Sequence, residues 1–226
     1  MRYTAIESAE TVAFLRALAV TDASLAAPCC DTHARHFLGS KNRGLLDWLP
    51  HSVLKALICR IAPGSYDFTV ARTRHFDEAL LAGLRRGIDQ VVILGAGYDS
   101  RALRFERELA GIPIFELDHP GTQARKIKLS NKASGRLPRN LKLIAIDFAR
   151  QSFADVLTAN GFRSDCKTLF LWEGVSYYLP EAAVSDVLAF VSHCARGSSI
   201  TFGYAIATFV AGDTSTYGGR QVARWL

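Results

Sequence analysis

The sequence lacks a cysteine pattern typical of disulfide or zinc sites, and it lacks any segment typical of secretion or membrane insertion. Its five cysteines are an odd number and form no C-x-x-C pair, which argues against a disulfide framework and a zinc site. The N-terminal region contains Glu7, Glu10, Arg16 and Asp22, so it has no uninterrupted apolar core of a signal peptide. No run approaches the ~20 apolar residues of a transmembrane helix. We expect a reducing, cytoplasmic environment and no membrane partner.

Signals for metal and nucleic acid are also scarce. His33 and His36 have a spacing that suits a metal on a helix, but surface histidines are the favoured interpretation. The net charge is +6, with a basic stretch between Arg125 and Lys142. This stretch has none of the interleaved aromatic residues that a nucleic-acid site uses, so a solvated face is favoured. The charge can still attract an anionic substrate. We expect no metal and no nucleic-acid partner.

The most informative stretch of the chain is Gln90–Arg104, with the sequence QVVILGAGYDSRALR. A short β-branched run stops at Gly95-Ala96-Gly97, which predicts a buried strand followed by a tight turn and a helix from Arg101. Gly95 can adopt φ values closed to other residues, and Gly97 has no Cβ to obstruct a ligand. The pattern predicts a nucleotide-like cofactor at this turn, and the alternative is a tight turn without a ligand.

The motif favours a cofactor without phosphates. The dinucleotide fingerprint requires a third glycine where this chain has Ser100. Asp99 would also place a negative charge beside a pyrophosphate. S-adenosylmethionine has no phosphate and has a cationic amino-acid end, so it fits better. A nicotinamide-dependent oxidoreductase on the same type of sheet is the rival hypothesis.

Three further apolar runs end in acidic residues. The predicted strands Ile112–Asp118, Leu141–Phe148 and Thr168–Gly174 carry the carboxylates of Asp118, Asp147 and Glu173. Asp118 follows Gly95 by 23 residues, close to the ~20-residue spacing expected of an acid that binds ribose hydroxyls. One such acid is more often a helix cap or a solvated turn. Three of them together with a glycine turn indicate one crevice at the carboxyl ends of parallel strands.

The remaining pattern predicts one α/β domain over residues 1–226. Three amphipathic helices form a cap region over residues 1–88, and they are expected at Ala5–Val20, Leu45–Ile61 and Phe68–Leu84. A parallel sheet with helices on both faces then occupies residues 89–226. Its later elements are the helices Ser100–Leu109, His119–Ser130, Phe153–Asn160 and Glu181–Ala195 and a fifth strand at Ser199–Tyr204.

The chain resembles the leucine carboxyl methyltransferase family, most closely its bacterial branch of S-adenosylmethionine-dependent methyltransferases. The blocks LGAGYDSR and EGVSYYL are specific when they occur together. The resemblance covers roughly Asp31 to Arg220 and rests on Ala71–Arg74, Val91–Arg104, Glu116–Pro120, Asp147–Phe148 and Glu173–Leu179. It implies a class I methyltransferase, that is, a Rossmann-like parallel sheet with an N-terminal helical cap.

The resemblance implies a set of cofactor-binding residues. They are Arg72 for the cofactor carboxylate, Gly95 and Gly97 under the methionine part, Asp118 for the ribose, Asp147 and Phe148 for the adenine edge, and Glu173 near the amino end. The chemistry agrees, because arginine can hold a carboxylate bidentately and none of these roles needs a metal. The eukaryotic members also use an N-terminal lysine, but this chain has no lysine before Lys41.

The implied reaction is O-methylation of a carboxylate or hydroxyl on a small-molecule or peptide acceptor. A carboxylate is already anionic and needs no base, whereas a hydroxyl does. Tyr177 and Tyr178 follow the fourth strand and are candidates to line the acceptor pocket, and the alternative is that both pack as core aromatics.

A methyltransferase sheet normally ends in a hairpin, but residues 205–226 show no strand pair. We therefore expect a chain truncated before its C-terminal hairpin, and a non-catalytic remnant is the second rival hypothesis.

Overall fold

The computed structural model describes residues 5–25, 31–134, 136–148, 150–215 and 217–222. The chain forms two compact units. The first is Met1–His75 with Ala205–Leu226, and the second is Phe76–Tyr204. The division of the sequence into a cap and a sheet region at residue 88, and the position of the cap, stay predictions.

Helices of the described residues lie both before the first strand and between the strands. Their bounds are α1 Ala5–Ala19, α2 Ser40–Trp48, α3 His51–Ile61, α4 Ser65–Arg85, α5 Arg101–Arg104, α6 Pro120–Ser134, α7 Phe153–Ala159, α8 Glu181–Ser192, α9 Ala207–Val210 and α10 Gly219–Val222. Two 3₁₀ helices lie at Ala34–Phe37 and Ser176–Tyr178. Within the described part of the chain, no helix has the length and apolarity needed to cross a membrane.

The second unit contains a five-stranded parallel sheet, as predicted. Its strands are β1 Gln90–Leu94, β2 Ile114–Asp118, β3 Leu141–Ala145, β4 Thr168–Trp172 and β5 Ser199–Phe202, and their order in the sheet is β3-β2-β1-β4-β5. The strand order therefore reverses between the neighbouring strands β1 and β4: β2 and β3 lie on one side of β1, and β4 and β5 lie on the other. In open α/β sheets such a switch point opens a crevice at the carboxyl ends of the strands.

The three central strands are buried on both faces, which explains their continuous apolar runs. Alternate residues of β1, β2 and β4 pack into two separate core clusters. Val92 and Leu94 belong to one cluster, and Val91 and Ile93 belong to the other. A register slip of one residue would exchange these faces, so the burial fixes where each strand ends and which residues reach the crevice.

Two predicted helices differ substantially from the structure, whereas the others differ from it by up to four residues at either end. The expected helix Leu45–Ile61 is divided into α2 and α3, because Pro50 lacks an N–H and holds Leu49 in an extended conformation with ψ of 136°. The expected helix Ser100–Leu109 ends at Arg104, and the chain continues in turns. Those turns bring Leu109 into the core, where it is 1% exposed, so burial outweighs helix propensity there.

In the first unit, Asp22 ties the end of α1 to α3 and α4. Its carboxylate accepts hydrogen bonds from Lys55 Nζ and Tyr66 Oη, both at 2.7 Å, and from Ser24 Oγ at 2.6 Å. Burial opposes ionisation, but the hydrogen bonds from Lys55, Ser24 and Tyr66 outweigh it and lower the pKa of Asp22. Leu18 and Leu54 pack beside this cluster in the core of the unit. These helices are therefore held by one buried anion as well as by apolar contacts.

Candidate functional site

The turn after β1 requires glycine at its first position. Gly95 has φ of +61° and Gly97 has φ of +52°, and both values lie in the left-handed region. A Cβ on Gly95 would lie 2.4 Å from Cγ2 of Val175, in the loop after β4. The loops that follow β1 and β4 therefore pack directly against each other, and they border the crevice at the switch point.

Asp118 closes the other side of this turn. It is the last residue of β2, is 8% exposed, and accepts the N–H of Gly97 through Oδ2 and the N–H of His119 through Oδ1 at 2.6 Å. Burial raises the pKa of Asp118, while the two backbone N–H groups and the charge of Lys126 act against the rise. Each carboxylate oxygen has two lone pairs, so the group can accept further hydrogen bonds from a ligand.

Glu173 follows β4 and is paired with a buried guanidinium. Its Oε2 lies 2.8 Å from Nη2 of Arg101, and its side chain is 10% exposed. The same guanidinium contacts Asp99 through Nη1 and Asp77 Oδ1 through Nε at 2.8 Å. Burial would lower the pKa of Arg101, but Asp99, Glu173 and Asp77 outweigh it and raise the pKa above its usual value. Arg101 therefore stays charged at the centre of three carboxylates.

Sequence reasoning did not single out this cluster. It considered Asp99 as an unfavourable neighbour of a pyrophosphate, whereas the structure pairs its carboxylate with the guanidinium of Arg101 and with the N–H of Arg101, the latter at 2.7 Å. Arg101 compensates the negative charge of Asp99. The repulsion between Asp99 and a pyrophosphate is therefore weaker than the sequence indicated. The signal available was the Asp99-x-Arg101 spacing at the start of a helix, which places both side chains beside the glycine turn.

A second buried pair, also not predicted, lies beneath Asp118. Glu116 of β2 and Lys126 of α6 form a salt bridge and are 0% and 2% exposed. Burial raises the pKa of Glu116 to about 7, with the charge of Lys126 opposing the rise. Glu116 and Asp118 are two residues apart, so they point to the same face of β2. The pair therefore adds a compensated charge next to the proposed ribose acid.

Asp147 and Phe148 lie at the same edge of the sheet. Ala145, the last residue of β3, pairs with Asp118 of β2. Asp147 and Phe148 follow Ala145 by two and three residues, so they lie just beyond the end of β3. Asp147 is half-buried, and its N–H donates to Gln151 Oε1 at 2.9 Å. Phe148 is partly buried against a core cluster. The structure thus brings Asp118, Asp147 and Glu173 to the carboxyl ends of β2, β3 and β4, as the sequence predicted, while their binding roles stay predictions.

The other candidates are Arg72, Tyr177 and Tyr178. Arg72 lies on the part of α4 that belongs to the first unit, with its guanidinium carbon 5.3 Å from the ring centroid of Phe68. Tyr177 and Tyr178 form the end of the 3₁₀ helix after β4, with their rings edge-on and 4.6 Å apart. Tyr178 is 51% exposed and is not a core aromatic, whereas Tyr177 is half-buried. Their functions stay predictions.

Among the described residues, no group of three or more histidine, cysteine or acidic side chains has the arrangement of a metal site. Cys59, Cys166 and Cys194 are free thiols. Cys29 and Cys30 lie outside the described residues.

Comparison with curated sequences identifies close relatives in bacteria. The chain is 37% identical over 148 residues to YktD of Bacillus subtilis, covering 65% of this chain and 48% of that protein. It is 38% identical over 133 residues to SCO6443 of Streptomyces coelicolor, covering 58% and 43%. Both carry the name "Putative S-adenosyl-L-methionine-dependent methyltransferase". The chain spans about half the length of the curated relatives it matches.

Solved structures support the fold. A "putative methyltransferase" of Thermobifida fusca matches with a TM-score of 0.58 and 14% identity, over 94% of this chain and 70% of that one. A DUF574 family protein of Streptomyces avermitilis gives the same score and identity, over 94% and 73%. At this level of identity the likeness concerns the fold alone, and it agrees with the predicted Rossmann-like class I methyltransferase fold.

A sequence model of the leucine carboxyl methyltransferase family matches residues 9–192. The sequence motifs suggested a resemblance over roughly Asp31 to Arg220, so the match begins earlier and ends earlier than that range. It includes β1 to β4 and all the candidate site residues. The chain therefore belongs to the leucine carboxyl methyltransferase family.

Proposed function

We propose that this chain binds S-adenosylmethionine at the carboxyl edge of β1, β2 and β4 and takes part in methyl transfer to a carboxylate or hydroxyl. The observation that carries the proposal is the position of Asp118 and Glu173. Asp118 is buried and Glu173 is partly buried, and these carboxylates end or follow β2 and β4, on either side of the Gly95–Gly97 turn. The family and the names of the bacterial relatives support the same conclusion.

The charge of the site fits a cationic cofactor. Asp77, Asp99 and Glu173 face two guanidinium groups, those of Arg101 and Arg104, so this group of five residues has a net negative charge. A sulfonium with an ammonium group is attracted to such a site, because the charges act at short range in a partly desolvated crevice. The acceptor capacity left on Asp118 suits the two hydroxyls of a ribose.

The remaining roles follow from the family resemblance. Asp147 accepts the exocyclic amine of adenine, and Phe148 offers an apolar face to the ring. Arg72, in the first unit, stays the candidate that the resemblance gives for the carboxylate of the methionine part, since a guanidinium can donate two parallel hydrogen bonds to it. Within the second unit, these assignments place the cofactor contacts on residues that follow β1, β2, β3 and β4.

The acceptor we favour is a carboxylate, in line with the family to which the chain belongs. Bound S-adenosylmethionine supplies an electrophilic methyl group. A carboxylate attacks as an anion without a general base, so the protein has to align the two reactants and exclude water rather than move a proton. Tyr177 and Tyr178 lie in the 3₁₀ helix that follows β4 and Glu173 in the chain, and we assign them to the wall of the acceptor pocket. This role needs no further ionisable residue.

The test is a binding measurement by calorimetry with S-adenosylhomocysteine, and with NAD⁺ as the competing cofactor. We expect saturable binding of S-adenosylhomocysteine, a higher melting temperature in its presence, and no effect of NAD⁺. Incubation with radiolabelled S-adenosylmethionine and a set of carboxylic acids then tests the acceptor class. Binding of NAD⁺ in preference to S-adenosylhomocysteine would overturn the proposal and restore the oxidoreductase hypothesis.

A further inference from the structure

Arg101 is the point at which three elements of the second unit meet. It is fully buried, and its guanidinium contacts Asp77 of α4, Asp99 after β1 and Glu173 after β4. The Nε–Asp77 and Nη2–Glu173 distances are both 2.8 Å. Its position is also fixed by the ring of Phe76, whose centroid lies 5.6 Å from the guanidinium carbon. The side chain therefore joins the loops on both sides of the Gly95–Gly97 turn.

A guanidinium is suited to this position and an ammonium is not. Its donors form a rigid planar fork, so each bound carboxylate is held in direction as well as in distance. A lysine would keep the positive charge but would offer a single rotating group, which cannot hold three carboxylates in fixed directions. An Arg101→Lys change should therefore alter the orientation of the Glu173 carboxylate while leaving the net charge of the cluster the same.

The tie between α4 and α5 does not depend on Arg101 alone. Arg104 contacts both oxygens of Asp77, with Nη1–Oδ2 at 2.7 Å and Nη2–Oδ1 at 2.8 Å. Arg104 also donates to Ser100 Oγ at 2.9 Å. Replacement of Arg101 therefore leaves α5 joined to α4, while the contact from Arg101 to Glu173 is lost.

We propose that Arg101 is a positioning residue, which sets the orientation of Glu173 and Asp99 for the ammonium group of the methionine part of the cofactor. The inference rests on the proposed function and extends it to a residue that makes no contact with the reacting atoms. It predicts a selective effect. The amino-acid end of the ligand should lose affinity when Arg101 is altered, while the adenosine part should not.

The experiment compares two ligands by calorimetry on the 226-residue chain. S-adenosylhomocysteine has the amino-acid end, and 5′-methylthioadenosine has the same adenosine and thioether but lacks that end. For Arg101→Lys we expect the affinity for S-adenosylhomocysteine to fall roughly 10- to 100-fold, the range for a hydrogen bond to a charged group. The affinity for 5′-methylthioadenosine should change less than about twofold, which corresponds to about 0.4 kcal/mol. Arg107→Lys makes the same change at an exposed arginine of the second unit, so it is the matched control and should leave both affinities unchanged.

The other possible results of the two binding measurements also decide the role of Arg101. Equal loss of both affinities in Arg101→Lys, or no loss of either, overturns the positioning role. If the wild-type chain binds neither ligand, the proposed function fails and this inference fails with it. If Arg101→Lys does not fold, Glu173→Gln provides the same comparison, because it keeps the shape of the side chain and the arginine. Selective loss of S-adenosylhomocysteine binding in that variant supports the inference, and loss of both ligands contradicts it.

Discussion

The backbone N–H of Gly97 donates a hydrogen bond to Oδ2 of Asp118, which joins the turn after β1 to the end of β2. The other carboxylate oxygen accepts the N–H of His119 at 2.6 Å. The residue proposed to bind ribose thus also fixes the glycine turn on which the cofactor would lie. A change at Asp118 should alter the ligand contact and the shape of the turn together.

The first prediction concerns Asp118→Ala. We expect binding of S-adenosylmethionine to weaken by about 1–3 kcal/mol, because hydrogen bonds to a charged acceptor are lost and the turn loses its anchor. Calorimetry measures the change. Asp186→Ala, an exposed acid on α8, is the control and should leave the affinity unaltered. Unchanged affinity in Asp118→Ala would place the ribose elsewhere.

The second prediction compares two glycines that share a left-handed conformation. Gly95→Ala should be much more destabilising than Gly87→Ala. Both positions have positive φ, +61° and +70°, so both variants have backbone strain of roughly 1–2 kcal/mol. Only at Gly95 does the new Cβ meet Val175, whereas a Cβ on Gly87 has nothing within 4 Å. Urea denaturation of the two variants measures the difference, and equal losses would show that Val175 moves aside without cost.

The third prediction concerns the pH dependence of stability at Glu116. Its pKa in the folded protein is about 7, above the ordinary 4.5, so the folded state holds this proton more tightly than the unfolded state. The resulting stability is fully present below pH 4.5 and is lost as the pH rises through about 7. We expect the free energy of unfolding to fall less between about pH 5 and about pH 8 in Glu116→Gln than in the wild type.

The control for this measurement is Glu106→Gln, which alters an exposed acid in the same unit. It should keep the pH dependence of the wild type. Lys126→Met tests the pair from the other side and should cost roughly 3–5 kcal/mol, because it leaves a buried carboxyl without its partner. If Glu116→Gln and the wild type show the same pH dependence, Glu116 is ionised throughout this range and the assignment is wrong.

The fourth prediction separates a pocket role from a packing role at the two tyrosines. Tyr178 is 51% exposed, so Tyr178→Phe should lower methyl transfer without changing the melting temperature or the affinity for S-adenosylhomocysteine. Tyr177 is half-buried, and Tyr177→Phe should behave similarly if its hydroxyl faces the acceptor. Turnover, thermal melts and calorimetry are compared for each variant. Parallel losses of stability and cofactor affinity would instead assign the residue to packing.

Much of the fold could be predicted from sequence because its signals are local. The end of β1 was predicted correctly, since a short β-branched run that stops at a glycine is a strong signal for a buried strand. The acids after β2, β3 and β4 could be placed at one edge of the sheet, because parallel strands present their carboxyl ends to the same side. Helix ends were less certain where proline or burial competed with the periodicity, as at Pro50 and Leu109.

The sequence by itself thus determined the order of the elements, the parallel sheet and the residues at its carboxyl edge. Only the tertiary structure decided which charges are paired. Gly97 and Asp118 are 21 residues apart, and Arg101 and Asp77 are 24 apart, so no local pattern joins them. Their pairing depends on burial, because a charged group removed from water is stable only beside a partner that the fold supplies. For that reason the sequence showed Arg101 only as part of a motif, whereas the structure places its guanidinium among the carboxylates of Asp77, Asp99 and Glu173 in the candidate site.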